Sequence, residues 1–239
     1  MFKWQITFLL LAVSLHIKAA SIIIPMDESQ KNHLKAYGIT FWTLKNGLEA
    51  DWLLNYRGGS FLIKYAQTLE NECKIRGVSY EVIADSKVTS ILNEISDPSV
   101  NMDMVKLEKA PKIAVYSPKT KLPWDDAVTL VLSYAEIPYD IIYDEEVLKG
   151  NLPKYDWLHM HHEDFTGQYG RFWASYRSAS WYMEDVKQQE KMAAKLGYKK
   201  VSEMKLAVAK TIKGFCAGGG FLFAMCPGTD SFDIALAAD

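Results

Sequence analysis

The sequence predicts an α/β protein in which residues 110–239 build a doubly wound, mostly parallel sheet and residues 21–109 build a smaller α/β unit. Short apolar runs of strand length alternate with stretches of helical period all the way from Lys112 to Met225, the rhythm of strands joined by crossover helices. A separate helix, strand, helix, strand, helix order precedes Pro111. With 239 residues, 49% of them apolar, the chain can bury one large core or two small ones.

Asp27 with Gln30 has the spacing of a capping box, Leu34, Tyr37, Phe41 and Trp42 follow at helical intervals, and Gly47 stands where a helix would stop. Residues 51–56 read as a strand and Gly58-Gly59 as a turn. Phe61, Leu62, Tyr65, Leu69 and Cys73 then suggest a second helix closed by Gly77. Val78, Tyr80 and Val82 alternate as a strand does, and Val88, Ile91, Leu92 and Ile95 line one face of a third helix.

After Lys109-Ala110-Pro111 the rhythm restarts with an apolar strand over 112–116. Pro123 suits the first position of a helix, Asp125 and Asp126 suit its first turn, and Ala127, Leu130, Val131 and Tyr134 form its apolar face. Ile137-Pro138 stops that helix before a strand over 139–143. A third strand over 156–160, helices over 181–196 and 202–216, and a buried strand over 220–225 complete the pattern.

Residues 1–20 read as a secretory leader: Lys3 precedes an apolar run from Ile6 to Leu15, too short for the ~20 residues of a bilayer span. Export is the expected localisation, with no membrane span once the leader is removed. Without Lys3 and Lys18 the 27 basic residues become 25 against 29 acidic ones, a balance of −4 that points away from a nucleic-acid partner. Cys73, Cys216 and Cys226 make an odd set, so no disulfide framework is expected; the first two fall on apolar helix faces, the ordinary place for a buried thiol.

Ligands of doubly wound sheets bind beyond the carboxyl ends of the strands, which directs attention to the residues just after each one. There the sequence places Ser117-Pro118-Lys119, then the run from His161-His162-Glu163-Asp164 through Gln168, Tyr169 and Arg171, then Cys226. A thiol at a strand-to-helix elbow is exposed and faces a helix N-terminus, which favours thiolate.

Ala224-x-Cys226-x-Gly228 resembles the G-x-C-x-G elbow of class I glutamine amidotransferase-like domains, with alanine replacing the first glycine. The resemblance runs from about Pro111 to Asp239 and implies a flavodoxin-like fold in which the cysteine attacks an amide. In that family a His and a Glu two residues apart follow the cysteine, whereas all five histidines here (His16, His33, His159, His161 and His162) precede Cys226. Pro227 also lacks the backbone N–H that such elbows give to the oxyanion.

Ile24-Pro25-Met26-Asp27 and residues 52–59, 112–125, 161–170 and 218–233 are similar to exported bacterial proteins labelled asparagine synthetase B, a likeness over the whole mature chain. It implies that residues 110–239 are a truncated amidotransferase-like domain. Asparagine synthesis itself stays a disfavoured alternative, because Phe2 stands in place of an N-terminal cysteine and no Ser-Gly-Gly-x-Asp-Ser pyrophosphate loop is present.

The expected site therefore has Cys226 as nucleophile, His161 or His162 as base and Glu163 orienting it, with Lys119, Asp164, Gln168, Tyr169, Arg171 and Trp173 as ligand contacts. No metal or cofactor is counted in it, although His159, His161, His162, Glu163 and Asp164 are also of the types that hold zinc. The competing expectation is a non-catalytic module in which Trp173, Tyr169 and Arg171 hold a small molecule, peptide or glycan. Phe172, Trp173 and Tyr176 alternatively pack a lid onto the sheet. Arg57-Gly58-Gly59-Ser60 reads either as an anion cradle or as a plain tight turn.

Overall fold

The computed structural model describes residues 21–118, 127–160, 165–166 and 169–238. They fall into two units: the residues up to Ile39 with Leu48–Glu108, and Thr40–Gly47 with the residues from Lys109 on.

In the first unit the elements run β1 (Ser21–Ile24), the start of α1 (His33–Lys45), β2 (Ala50–Leu54), β3 (Ser60–Lys64), α2 (Gln67–Arg76), β4 (Glu81–Ile83), α3 (Asp85–Ile95) and β5 (Asp103–Leu107). The five strands form one antiparallel sheet in the order β4-β1-β3-β2-β5, with Ile22 opposite Ile63 and Trp52 opposite Phe61. This unit is thus antiparallel, a strand direction that the sequence reading left open for residues 21–109. Ile23, Leu53 and Leu62 pack against Ile91 and Ile95 of α3, on the stripe that the spacing of that helix predicts.

Ser60–Lys64 forms the central strand and not the start of a helix. Its four leading residues are buried, because a strand covered on both faces is apolar throughout and loses the alternation that would identify it. The first helix also begins later than Asp27 and Gln30 suggest. Gln30 is buried and donates to the Pro25 and Ser79 carbonyls at 2.8 and 3.1 Å, while the Lys35 N–H is capped by Asn32 Oδ1 at 3.1 Å.

Between β2 and β3, Asn55, Arg57, Gly58 and Gly59 all have positive φ. The Gly59 N–H donates to the Tyr56 carbonyl, and the Ser60 hydroxyl to the same oxygen at 3.0 Å. Arg57 is held by Asp27 at 2.8 Å and Glu81 at 2.6 Å. The anion cradle is therefore filled by the protein's own groups, and Ser60 opens a strand, not a helix.

In the second unit come β6 (Ile113–Tyr116), α4 (Ala127–Tyr134), β7 (Tyr139–Ile142), α5 (Asp144–Leu148), β8 (Trp157–Met160), α6 (Trp173–Tyr176), α7 (Ser180–Lys195), α8 (Val201–Ala217), β9 (Phe221–Ala224) and α9 (Pro227–Ala237). The four strands are parallel throughout, in the order β7-β6-β8-β9. One face packs Tyr116, Leu158 and Met160 against Val147 of α5, Val208 and Ile212 of α8 and Phe232 of α9. The other packs Ile113 and Val115 against Leu132 of α4, with Phe41 beside them. Pro123, Asp125 and Asp126 lie outside the described residues.

β9 departs from the buried strand that its composition predicts. Phe221 is 59% exposed, and Phe223 and Met225 are exposed too, because among the described residues β9 is an edge strand paired only with β8. α6 carries no buried residue, so its aromatic spacing does not reflect a lid packed on the sheet.

Candidate functional site

All four parallel strands end on the same side of their sheet, and their exits supply the candidate residues. At the end of β9 the chain turns through Cys226 with φ 51° and ψ −145°, an uncommon conformation for a residue with a side chain. Pro227 opens α9 directly afterwards, and the Thr229 N–H returns to the Cys226 carbonyl at 3.0 Å. The sharp strand-to-helix elbow read from the sequence is present, and its thiol is exposed. Pro227 has no N–H, so Gly228 carries the first backbone donor of the helix.

The other two thiols are placed for packing. Cys73 is buried in α2, where burial pushes its thiol up to about 12, and burial also raises that of Cys216 in α8. Only Cys226 stands at the strand ends.

His161, His162, Glu163 and Asp164 lie outside the described residues, as do Lys119 and Gln168. The residues flanking the histidine run are nonetheless fixed. Met160 is the register partner of Ala224, two residues before Cys226. On the far side, the Phe165 N–H donates to Ser231 Oγ at 2.8 Å, the Ser231 hydroxyl donates to the Pro227 carbonyl at 2.8 Å, and the Phe165 ring meets Phe232 edge-on at 5.5 Å. Both flanks are therefore anchored on β9 and α9, the two elements that Cys226 joins. His159 is buried within β8 with its ring stacked on Phe223, at a strand position and not in the loop.

The remaining expected contacts are not gathered at the thiol. Tyr169 donates to Glu190 Oε1 at 3.2 Å and its carbonyl accepts the Tyr182 hydroxyl. Trp173 is 59% exposed with the Arg177 guanidinium 5.2 Å from its ring centre, and Arg171 is exposed. Among the described residues, no hydrogen bond or ring contact joins Tyr169, Arg171 or Trp173 to Cys226. No group of three or more His, Cys, Asp or Glu side chains there is arranged to hold a metal ion.

The strand ends also hold a cluster absent from the sequence reading. Lys205 of α8, 3% exposed, reaches Asp144 at 2.7 Å, and Asp144 is 1% exposed at the exit of β7. The Lys205 ammonium also donates to the Tyr143 and Tyr116 hydroxyls at 2.9 and 3.2 Å, and Tyr116 donates to Asp144 at 2.5 Å. The Tyr143 ring lies 4.1 Å from the same nitrogen.

A cavity of about 90 Å³ adjoins the cluster, lined by Pro118, Tyr143, Asp144, Asp185 and Gln189 among others. Burial pushes the Asp185 carboxyl up, against a hydrogen bond from Gln189 and the nearby Lys205 charge. Two signals pointed here: Asp144 lies just past a strand, and Lys205 shares the buried stripe of Val201, Met204, Val208, Ala209 and Ile212.

Comparison with family models, with curated proteins and with solved structures finds no match. Among the described residues, no helix is long and apolar enough to cross a membrane.

Proposed function

We propose that this chain is an exported, class I amidotransferase-like protein on a flavodoxin-like, doubly wound sheet, and that it cleaves or transfers an amide or ester acyl group through Cys226. The observation that carries the reading is the strained, exposed Cys226 turn, with both flanks of the histidine run anchored on the elements it connects.

In this reading His161 or His162 takes the thiol proton, Glu163 orients the imidazole, and the thiolate attacks the acyl carbon. The acyl–nitrogen or acyl–oxygen bond then breaks, and the imidazolium returns its proton to the departing amine or alcohol. Water, deprotonated by the same imidazole, hydrolyses the thioester and releases a carboxylic acid and the free thiol. The helix dipole at the α9 N-terminus favours both the thiolate and the oxyanion. Pro227 withholds one oxyanion donor, which typically lowers the rate on the order of 10²–10³.

The test is iodoacetamide alkylation of the folded protein at neutral pH, mapped by peptide mass for wild type and Cys226→Ser. Preferential labelling of Cys226 is expected, with Cys73 and Cys216 labelled only after unfolding. No site-specific reaction of Cys226 under these conditions would sink the proposal.

A further inference from the structure

The segment from Arg171 to Trp181 places six aromatic or cationic groups, Arg171, Phe172, Trp173, Tyr176, Arg177 and Trp181, outside the buried core of the described residues. α6 buries no residue, Trp173 and Tyr176 are 59% and 45% exposed, and the rings of Phe172, Tyr176 and Trp181 meet one another tilted or edge-on at 5.2–5.9 Å. Self-packing of this kind fixes the hairpin between α6 and α7 without covering Trp173, the largest exposed ring. Arg177 lies over Trp173 and donates to the Ala174 carbonyl at 3.2 Å, so its guanidinium is held beside the indole. Among the described residues neither Arg171 nor Arg177 is paired with a carboxylate.

We infer that this surface binds a carboxylated saccharide, with the C–H face of a sugar ring on Trp173 and its carboxylate bidentate to Arg177. Flat exposed rings beside guanidiniums that pair with no carboxylate among the described residues complement a ligand that is both ring-shaped and anionic. A peptide would seek pockets for its side chains, and the cavity beside Lys205 is lined by no residue of α6. An anionic bilayer would meet Glu184 at the start of α7, together with polar Ser175, Ser178 and Ser180, in place of an apolar wedge.

The probe is an oligogalacturonate, compared by calorimetry with its methyl-esterified neutral form, with poly-glutamate and with anionic lipid vesicles. Binding of the oligogalacturonate is expected, weakened roughly tenfold or more by Trp173→Ala and by Arg177→Gln. Trp173→Phe should recover part of it. Both positions are exposed, so the variants should keep the wild-type circular dichroism and melting temperature. Cys226→Ser should bind like wild type, which keeps this inference separate from thiol chemistry. Equal binding of the neutral ester, stronger binding of poly-glutamate or vesicles, or oligogalacturonate binding untouched by Trp173→Ala would each overturn it.

Discussion

Lys205 is the residue whose environment departs furthest from its type. A lysine ammonium is normally kept in water, yet here it is enclosed by one carboxylate and two phenols that together receive its hydrogen bonds. A pair so deeply buried is costly to break from one side, because the survivor is left charged and unsolvated. Lys205→Met should therefore lower the unfolding free energy by about 3–5 kcal/mol in urea titrations, stranding Asp144. The double replacement Lys205→Met with Asp144→Leu removes both charges and should cost clearly less than Lys205→Met alone. If the double variant loses as much as the sum of the two single ones, the pair does not act as a unit. In the sequence this network left only separate traces, Asp144 just past a strand and Lys205 on the buried stripe of α8, because the two are 61 positions apart and no spacing joins them. The Cys226 elbow, by contrast, was legible because strand, cysteine, proline and helix follow one another within a few residues.

At the scale of elements, the turn from β2 to β3 shows how one close approach fixes a connection. Gly58 has φ +79°, and a Cβ there would lie 2.4 Å from the Met26 carbonyl oxygen. That same stretch is stitched to the turn by the Met26 N–H donating to the Arg57 carbonyl at 3.0 Å. Gly77, closing α2 at φ +68°, has open space where its Cβ would be. Gly77→Ala should thus cost only the left-handed backbone term, about 1–2 kcal/mol, whereas Gly58→Ala adds displacement of the β1 exit and should cost distinctly more. Thermal unfolding of the two variants side by side decides it; equal melting temperatures would mean that Met26 yields freely. The elements most legible in the sequence were those with a one-sided burial pattern, such as α3 and α8. β3 was misread because its centre is apolar on both faces, and β5 went unread because its residues are almost all exposed, leaving no contrast between faces.

At the scale of the whole molecule, the parallel sheet is unevenly covered. Parallel strands are ordinarily buried on both faces, and β6 follows that rule with all four residues buried. β9 does not: Leu222 and Ala224 pack inward, while Phe221 and Phe223 turn outward along a strand whose outer backbone edge is unpaired among the described residues. An apolar face beside an open edge is the combination that promotes strand addition between molecules. Phe221 is the more exposed of the two, and among the described residues its ring contact is edge-on to Trp157 at 6.3 Å. Replacing it with lysine puts a charge on that edge at little cost to the core, since exposed positions usually change stability by no more than about 0.5 kcal/mol. Phe221→Lys should therefore lower the light scattering of concentrated solutions at an unchanged melting temperature. Scattering equal to wild type would show that β9 is not the adhesive surface, and a large fall in melting temperature would show that Phe221 is held more firmly in the fold than its exposure implies.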